Sequence, residues 1–214
     1  MPSALSQDIL DSLAILERGS DSGRAVLDVE ENRFSRALDD LKRLADGERI
    51  PLAIVGGLGA IRYGYPAATQ DIDIAVGRTD LERILCVAPR YGFIVAWEAK
   101  SLTHGDVEIN IVPEGGKARN NAPTLIPGPS LLGVANGLGY ASLPGWMELK
   151  LSSGRQKDRA HIVEVLKKTP ASAIDSARLS LAIVHEDYVR LFDELRQQAT
   201  DELEQERHDE RDAE

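Results

Sequence analysis

The chain alternates between two hydrophobic spacings, one of about 3.6 residues and one of two, and the changes of period mark its elements. From Ser3 to Arg18 the apolar residues Leu5, Ile9, Leu10, Leu13 and Leu16 share a helical face, and Gly19 to Gly23 ends it. A second helix is predicted from about Val29 to Ala45, with Phe34, Leu38, Leu41 and Leu44 on one side and Gly47 after it. Both are expected to cover a sheet. Leu52 to Val55 then reads as a buried strand running into Gly56-Gly57, followed by a helix from Leu58 to Gly64 that Tyr65-Pro66 stops. The period changes to two at Asp71-Ile72-Asp73-Ile74-Ala75-Val76, so Asp71 and Asp73 share one strand face and Ile72 and Ile74 the other.

Further on, Thr79 and Asp80 are candidate N-caps for a helix through Ala88, apolar at Leu81, Ile84, Leu85 and Val87, and Phe93 to Trp97 is a predicted strand. Asp106 to Val112 alternates without a break, placing Asp106, Glu108 and Asn110 opposite Val107, Ile109 and Ile111. Lys117 to Pro129 is a loop expected to lie over the site, and Leu131 to Ser142 is irregular structure with a short strand. Pro144 opens a helix bearing Trp146, Met147, Leu149, Lys150 and Leu151, and Asp158 either orients one of the cations near it or, as the preferred reading, caps the next helix, Arg159 to Lys168, with His161 on its surface. Pro170 and the Ala/Ser run after it form a connection. A single long helix is predicted from Ala177 to about Arg207, apolar at Leu179, Leu181, Ile183, Val184, Val189, Leu191, Phe192 and Leu195, with its polar second half projecting.

At 214 residues and 43% hydrophobic content the chain can bury one substantial core, and no apolar run approaches membrane-spanning length. Met1-Pro2-Ser3 lacks the basic and then apolar opening of a secretory signal, and the single cysteine, Cys86, is expected to pack in a helix, so a cytoplasmic setting is expected. The net charge of −10 argues against a nucleic-acid partner until it is located. Glu186 to Glu214 holds twelve acidic and four basic residues, leaving only −2 for residues 1–185. The acidity belongs to the C-terminal helix.

Two features carry candidate chemistry. A helix beginning beside Gly56-Gly57 presents free N–H groups with no side chain in the way, which suits a phosphate, and two carboxylates at Asp71 and Asp73 suit a hard divalent cation. Each has a plain structural reading, as a turn and as the wet face of a strand. Lys150, Arg155 and Lys157 gather positive charge where a polyanion can be held.

In order, these residues resemble the nucleotidyltransferase superfamily that includes DNA polymerase beta, and especially its abortive-infection, type IV toxin-like branch. Gly56, Gly57, Gly64, Pro66, Thr69, Asp71 and Asp73 fall on the pattern hGG, helix, G-x-P-R-x-T-x-D-h-D, with Ala67 where the arginine stands. Pro113-Glu114-Gly115 is similar to the end of the strand that supplies a third carboxylate, and that position is Asn110, with Glu108 on the same face as the candidate substitute. Leu149-Lys150-Leu151 through Gly154-Arg155-Gln156-Lys157-Asp158 resembles L-K-L-x-x-G-R-x-K-D. The resemblance implies an α+β fold: a mixed β-sheet flanked by helices, with a C-terminal helical extension. It divides the chain into N-terminal helices (1–48), a nucleotidyltransferase core (49–170) and a C-terminal helix with acidic tail (171–214).

The resemblance further implies a transferase using Mg2+ or Mn2+ and a nucleoside triphosphate. Asp71, Asp73 and Glu108 are expected at the metal and the chemistry, and Gly56, Gly57, Thr69, Lys150, Arg155 and Lys157 at the nucleotide. The acceptor hydroxyl would belong to tRNA, another RNA or a protein side chain. From the chain itself, the projecting half of the C-terminal helix is expected to serve a homodimer or a cognate antitoxin, and no membrane partner is expected. Two other classes stand beside this: a nucleotide-binding or toxin–antitoxin module that has lost turnover, motivated by Ala67 and Asn110, and an antibiotic nucleotidyltransferase.

Overall fold

The computed structural model describes residues 33–67 and 69–212, so the predicted Ser3–Arg18 helix lies outside the described residues. Helix α1 (Arg33–Glu48) buries Phe34, Leu41 and Leu44 of the predicted stripe completely, with Ala37 and Ala45 beside them and Leu38 half-buried. Then come β1 (Leu52–Ile54), α2 (Gly56–Arg62), β2 (Asp71–Val76) and α3 (Leu81–Val87), which continues as a 3-10 turn over Ala88–Tyr91. Strands β3 (Ile94–Ala96), β4 (Ser101–His104), β5 (Val107–Pro113) and β6 (Leu138–Tyr140) complete one sheet. Four helices close the chain: α4 (Leu143–Ser153), α5 (Gln156–Lys168), α6 (Ala171–Val184) and α7 (Glu186–Asp212). The architecture is α+β, a six-stranded mixed sheet in the order β3-β4-β5-β2-β1-β6, flanked by helices and extended by α7. Among the described residues no helix is long and apolar enough to cross a membrane.

Register decides where the polar side chains meet. β2 runs parallel to β5 with Asp71 opposite Glu108 and Asp73 opposite Asn110, and β5 pairs antiparallel with β4 so that Asn110 faces Ser101. Paired residues present their side chains to the same face, so a polar stripe crosses the centre of the sheet. The alternate positions Ile72, Ile74, Ile109 and Leu102 are fully buried on the other face. The polar side is closed by α2 and α4. Trp146 of α4 is fully buried and donates its indole N–H to the Gly56 carbonyl at 3.0 Å. This contact requires a glycine in α2, because a Cβ at Gly59 would lie 2.3 Å from Trp146 Cδ1.

Several expectations are corrected. Helix α2 starts at Gly56, two residues early, because the glycines form its first turn. β4 was not predicted, being only four residues of mixed polarity. Cys86 is exposed on α3, since it falls off the face that carries Ile84, Leu85 and Val87. The Pro170 connection is helical from Ala171 onward. The single long C-terminal helix is two, broken at His185, whose extended backbone (φ −165°, ψ 140°) lets its Nδ1 accept from the Asp187 N–H at 3.1 Å. The break turns Ile174, Ala177 and Leu181 inward and leaves Leu179 and Ile183 exposed. Nor does the second half of α7 simply project: Lys167 of α5 reaches Glu202 at 2.6 Å and Glu206 at 2.9 Å.

The close approach of α2 to α4 is testable. Gly59→Ala should lower stability by about 1–3 kcal/mol through overpacking against Trp146, outweighing the roughly 1 kcal/mol that alanine gains in a helix. Urea denaturation reads the change, and an unshifted or raised midpoint would contradict the packing.

Candidate active site

The site begins with the two aspartates, because a partly buried pair of like charges is the costliest feature of the sheet. Asn110 lies between them and donates its amide to Asp71 Oδ2 at 2.8 Å and to Asp73 Oδ1 at 3.2 Å. The amide NH2 must face this way, since ionised carboxylates accept hydrogen bonds only. Thr69, itself buried, donates to Asp71 Oδ1 at 3.0 Å and so fixes that carboxylate from the other side. Burial first, and the neighbouring Asp71 charge second, raise the Asp73 carboxyl above its ordinary value, with Asn110, Lys150 and Arg155 only partly offsetting them.

Both predicted glycines are explained by this pair. Gly56 has φ +62°, and a Cβ there would lie 1.8 Å from Asp73 Oδ2. A Cβ on Gly57 would meet Thr69 Oγ1 at 2.7 Å. The glycines therefore let the carboxylate edge of β2 lie against the opening turn of α2. The first bond of that turn runs from the Gly59 N–H to the Val55 carbonyl at 3.2 Å, and the N–H groups of residues 56–58 precede the helical ladder.

Across from the acids stands a cationic wall. Lys150, with a side chain only 7% exposed, donates to Asp158 Oδ1 at 2.6 Å, and Arg155 Nε reaches Asp158 Oδ2 at the same distance. Ser153 Oγ also donates to Asp158. Asp158 is thus no helix cap: α5 has no side-chain capping bond, and the completely buried carboxylate holds the two cations instead. Burial pushes this carboxyl up, but the hydrogen bonds from Arg155, Lys150 and Ser153 prevail and bring it down to about 2. His161 is likewise no surface residue. It is half-buried against the Tyr65 ring, with Nδ1 3.3 Å from Lys150 Nζ. Burial and the Lys150 charge lower its pKa, so it is neutral near pH 7 and its Nδ1 accepts from the ammonium.

A polar cleft of about 550 Å3 brings together Asp71, Asp73, Glu108, Gly57, Thr69, Lys150, Arg155 and Lys157, with Asn110 and His161 beside them. Gly56 lines an adjoining cleft of about 380 Å3 that shares Asp73, Lys150 and Arg155 with the first. Glu108 is exposed on the rim, and Ala67, in place of the expected arginine, is buried. Among the described residues no group of three or more His, Cys, Asp or Glu side chains converges as a metal site. Two converging oxygen donors, one with raised proton affinity and both open to a cleft, fit a single hard divalent cation. Sequence reasoning missed the bridging amide of Asn110, the His161–Lys150 contact and Arg119 of the second cleft; only tertiary pairing brings these to the site.

No protein-family model matches the chain, and no curated protein matches it. Two solved structures are similar at the level of shape. One is a solution structure of the antibiotic-resistance factor ANT(2'')-Ia, with 16% identity, a TM-score of 0.39 and coverage of 83% of this chain and 99% of that one. The other is a crystal structure of ANT(2'')-Ia with adenylyl-2''-tobramycin, with 16% identity, a TM-score of 0.35 and coverage of 77% and 98%. Likeness of this size leaves the reading of the site to its own geometry.

The Asp158 junction makes a direct prediction. Asp158→Asn leaves Lys150 buried without its counter-ion and should cost about 3–5 kcal/mol at neutral pH. Because the native carboxyl titrates at about 2, below its unfolded value, the wild type keeps this stabilisation above about pH 4 and loses it as the pH falls toward 2. Urea midpoints between pH 7 and pH 2 check both, and a variant as stable as wild type would contradict the role.

Proposed function

We propose that the chain is a nucleotidyltransferase that moves a nucleoside monophosphate from a nucleoside triphosphate to an acceptor hydroxyl and releases pyrophosphate. The observation that carries this reading is the convergence of Asp71 and Asp73 on the glycine turn at Gly56-Gly57, with Lys150 and Arg155 facing them. A Mg2+ or Mn2+ ion held by Asp71 and Asp73 would supply the charge that neutralises triphosphate oxygens. Thr69 and Asn110 keep the two carboxylates aimed, Lys150 offsets charge developing on the leaving phosphates, and Arg155 and Lys157 hold the polyanion. The backbone N–H groups of Gly56 and Gly57 donate to phosphate oxygens. Glu108, on the solvent side of the cleft, accepts the proton of the acceptor hydroxyl. The acceptor oxygen bonds to the α-phosphorus while the bond from that phosphorus to the β-phosphate oxygen breaks, and pyrophosphate carries away the electron pair.

In the toxin-like form of this reading the acceptor is the 3′ end of tRNA or another RNA, or a protein side chain. One observation favours a second reading, a nucleotide-binding module without turnover: Asn110 fills the gap between the aspartates with an amide that cannot take a proton. Incubation with each labelled triphosphate, Mg2+ and total tRNA or cell protein separates the two. Under the first reading label is transferred, and Asp71→Ala lowers transfer at least about 100-fold. Tight nucleotide binding with no transfer to any acceptor would overturn it in favour of the module. Induced expression tests the toxin-like form: growth arrest that Asp73→Asn abolishes supports it, and unimpaired growth contradicts it.

A further inference from the structure

The adjoining cleft contains a charge that the reading above does not use. Arg119 lies in the loop between β5 and β6, lines this cleft with Lys150 and Arg155, and is only partly buried. Its Nε is inaccessible to solvent and has no hydrogen-bond partner among the described residues. Lys150 and Arg155 are both engaged by Asp158, whereas Arg119 forms no ion pair among the described residues, although Asp73 and Asp158 line the same cleft. Its guanidinium is seated on Gly154, where a Cβ would lie 2.5 Å from Nη1. Gly154 is the left-handed C-cap of α4, and the carbonyl end of that helix attracts the guanidinium. Val112, Ile126, Trp146 and Leu149 give the cleft an apolar side, and Asp73, Ser153 and Asp158 a polar one.

A half-apolar cleft with an arginine outside any ion pair fits a ligand that is flat and apolar at one end and anionic at the other. The polar cleft on the other side of Asp73 lacks such walls. Resting on the transferase reading, we infer that the donor triphosphate enters through the Arg119 cleft, its base among Val112, Ile126 and Leu149 above the buried Trp146, and its phosphates bonded to Arg119 on their way past Asp73 to the glycine turn and Lys157. The acceptor then reaches Asp73 from the Glu108 side of the polar cleft. Arg119 is a binding residue for the donor, and a different one from the glycine turn.

Trp146 provides the readout. With Trp97 replaced by phenylalanine, Trp146 is the sole tryptophan. The protein is titrated in Mg2+ with the α,β-methylene analogues of ATP, CTP, GTP and UTP, which bind without transfer, and binding is measured in parallel by equilibrium dialysis. The inference expects the bound analogue to change Trp146 emission, Arg119→Ala to weaken binding at least tenfold with an unshifted urea midpoint, and Arg119→Lys to weaken it less. Binding by dialysis with no change in emission and no effect of either Arg119 variant would overturn the inference and leave the transferase reading standing. Failure of all four analogues to bind the wild-type protein would overturn both.

Discussion

The structure depends on keeping two carboxylates side by side on a partly buried strand without letting the protein neutralise them. Like charges in this setting repel and lose hydration, and the raised proton affinity of Asp73 is the sign of that cost. The surroundings hold the pair rather than cancel it. Asn110 contributes two hydrogen bonds and no charge, and Thr69 contributes another. The glycines at 56 and 57 remove the atoms that would otherwise collide with Asp73 and Thr69. What remains is a pair of carboxylates held side by side and open to a cleft.

The cationic wall follows the same logic. Lys150 and Arg155 line the cleft with the aspartates, and without another partner they would be drawn across to them. Asp158 prevents this by holding both cations from the interior, on α5 rather than on the sheet. A buried ion pair of this kind adds little net stability over apolar packing, so its value lies in position. It keeps positive charge near the space that phosphates would fill while leaving Asp71 and Asp73 free for a metal. Trp146 joins the two halves by bonding the Gly56 carbonyl from the same helix that carries Lys150.

How much of this was legible in the sequence depends on the range of the interactions. The strand alternation at Asp71–Val76 and Asp106–Val112 correctly separated polar from core faces, because period-two patterning is local. It did not show that β2 and β5 pair with Asp73 beside Asn110, and that register decides which side chain sits between the acids. Asp158 read as a cap because capping is a contact within one turn, whereas its partners are three to eight residues away on another helix and in a turn. His185 interrupts the last helix without proline or glycine, so an unbroken apolar period concealed the break. Arg119, in a loop without periodicity, carried no signal at all. Its role arises only because the chain folds back onto the end of α4.

The most direct measurement of the central claim is Mn2+ binding to the metal-free protein, followed by electron paramagnetic resonance of the free ion. The account predicts one bound ion per chain, with affinity lowered at least about tenfold by Asp71→Asn and by Asp73→Asn alike. Wild-type affinity in both variants would contradict it.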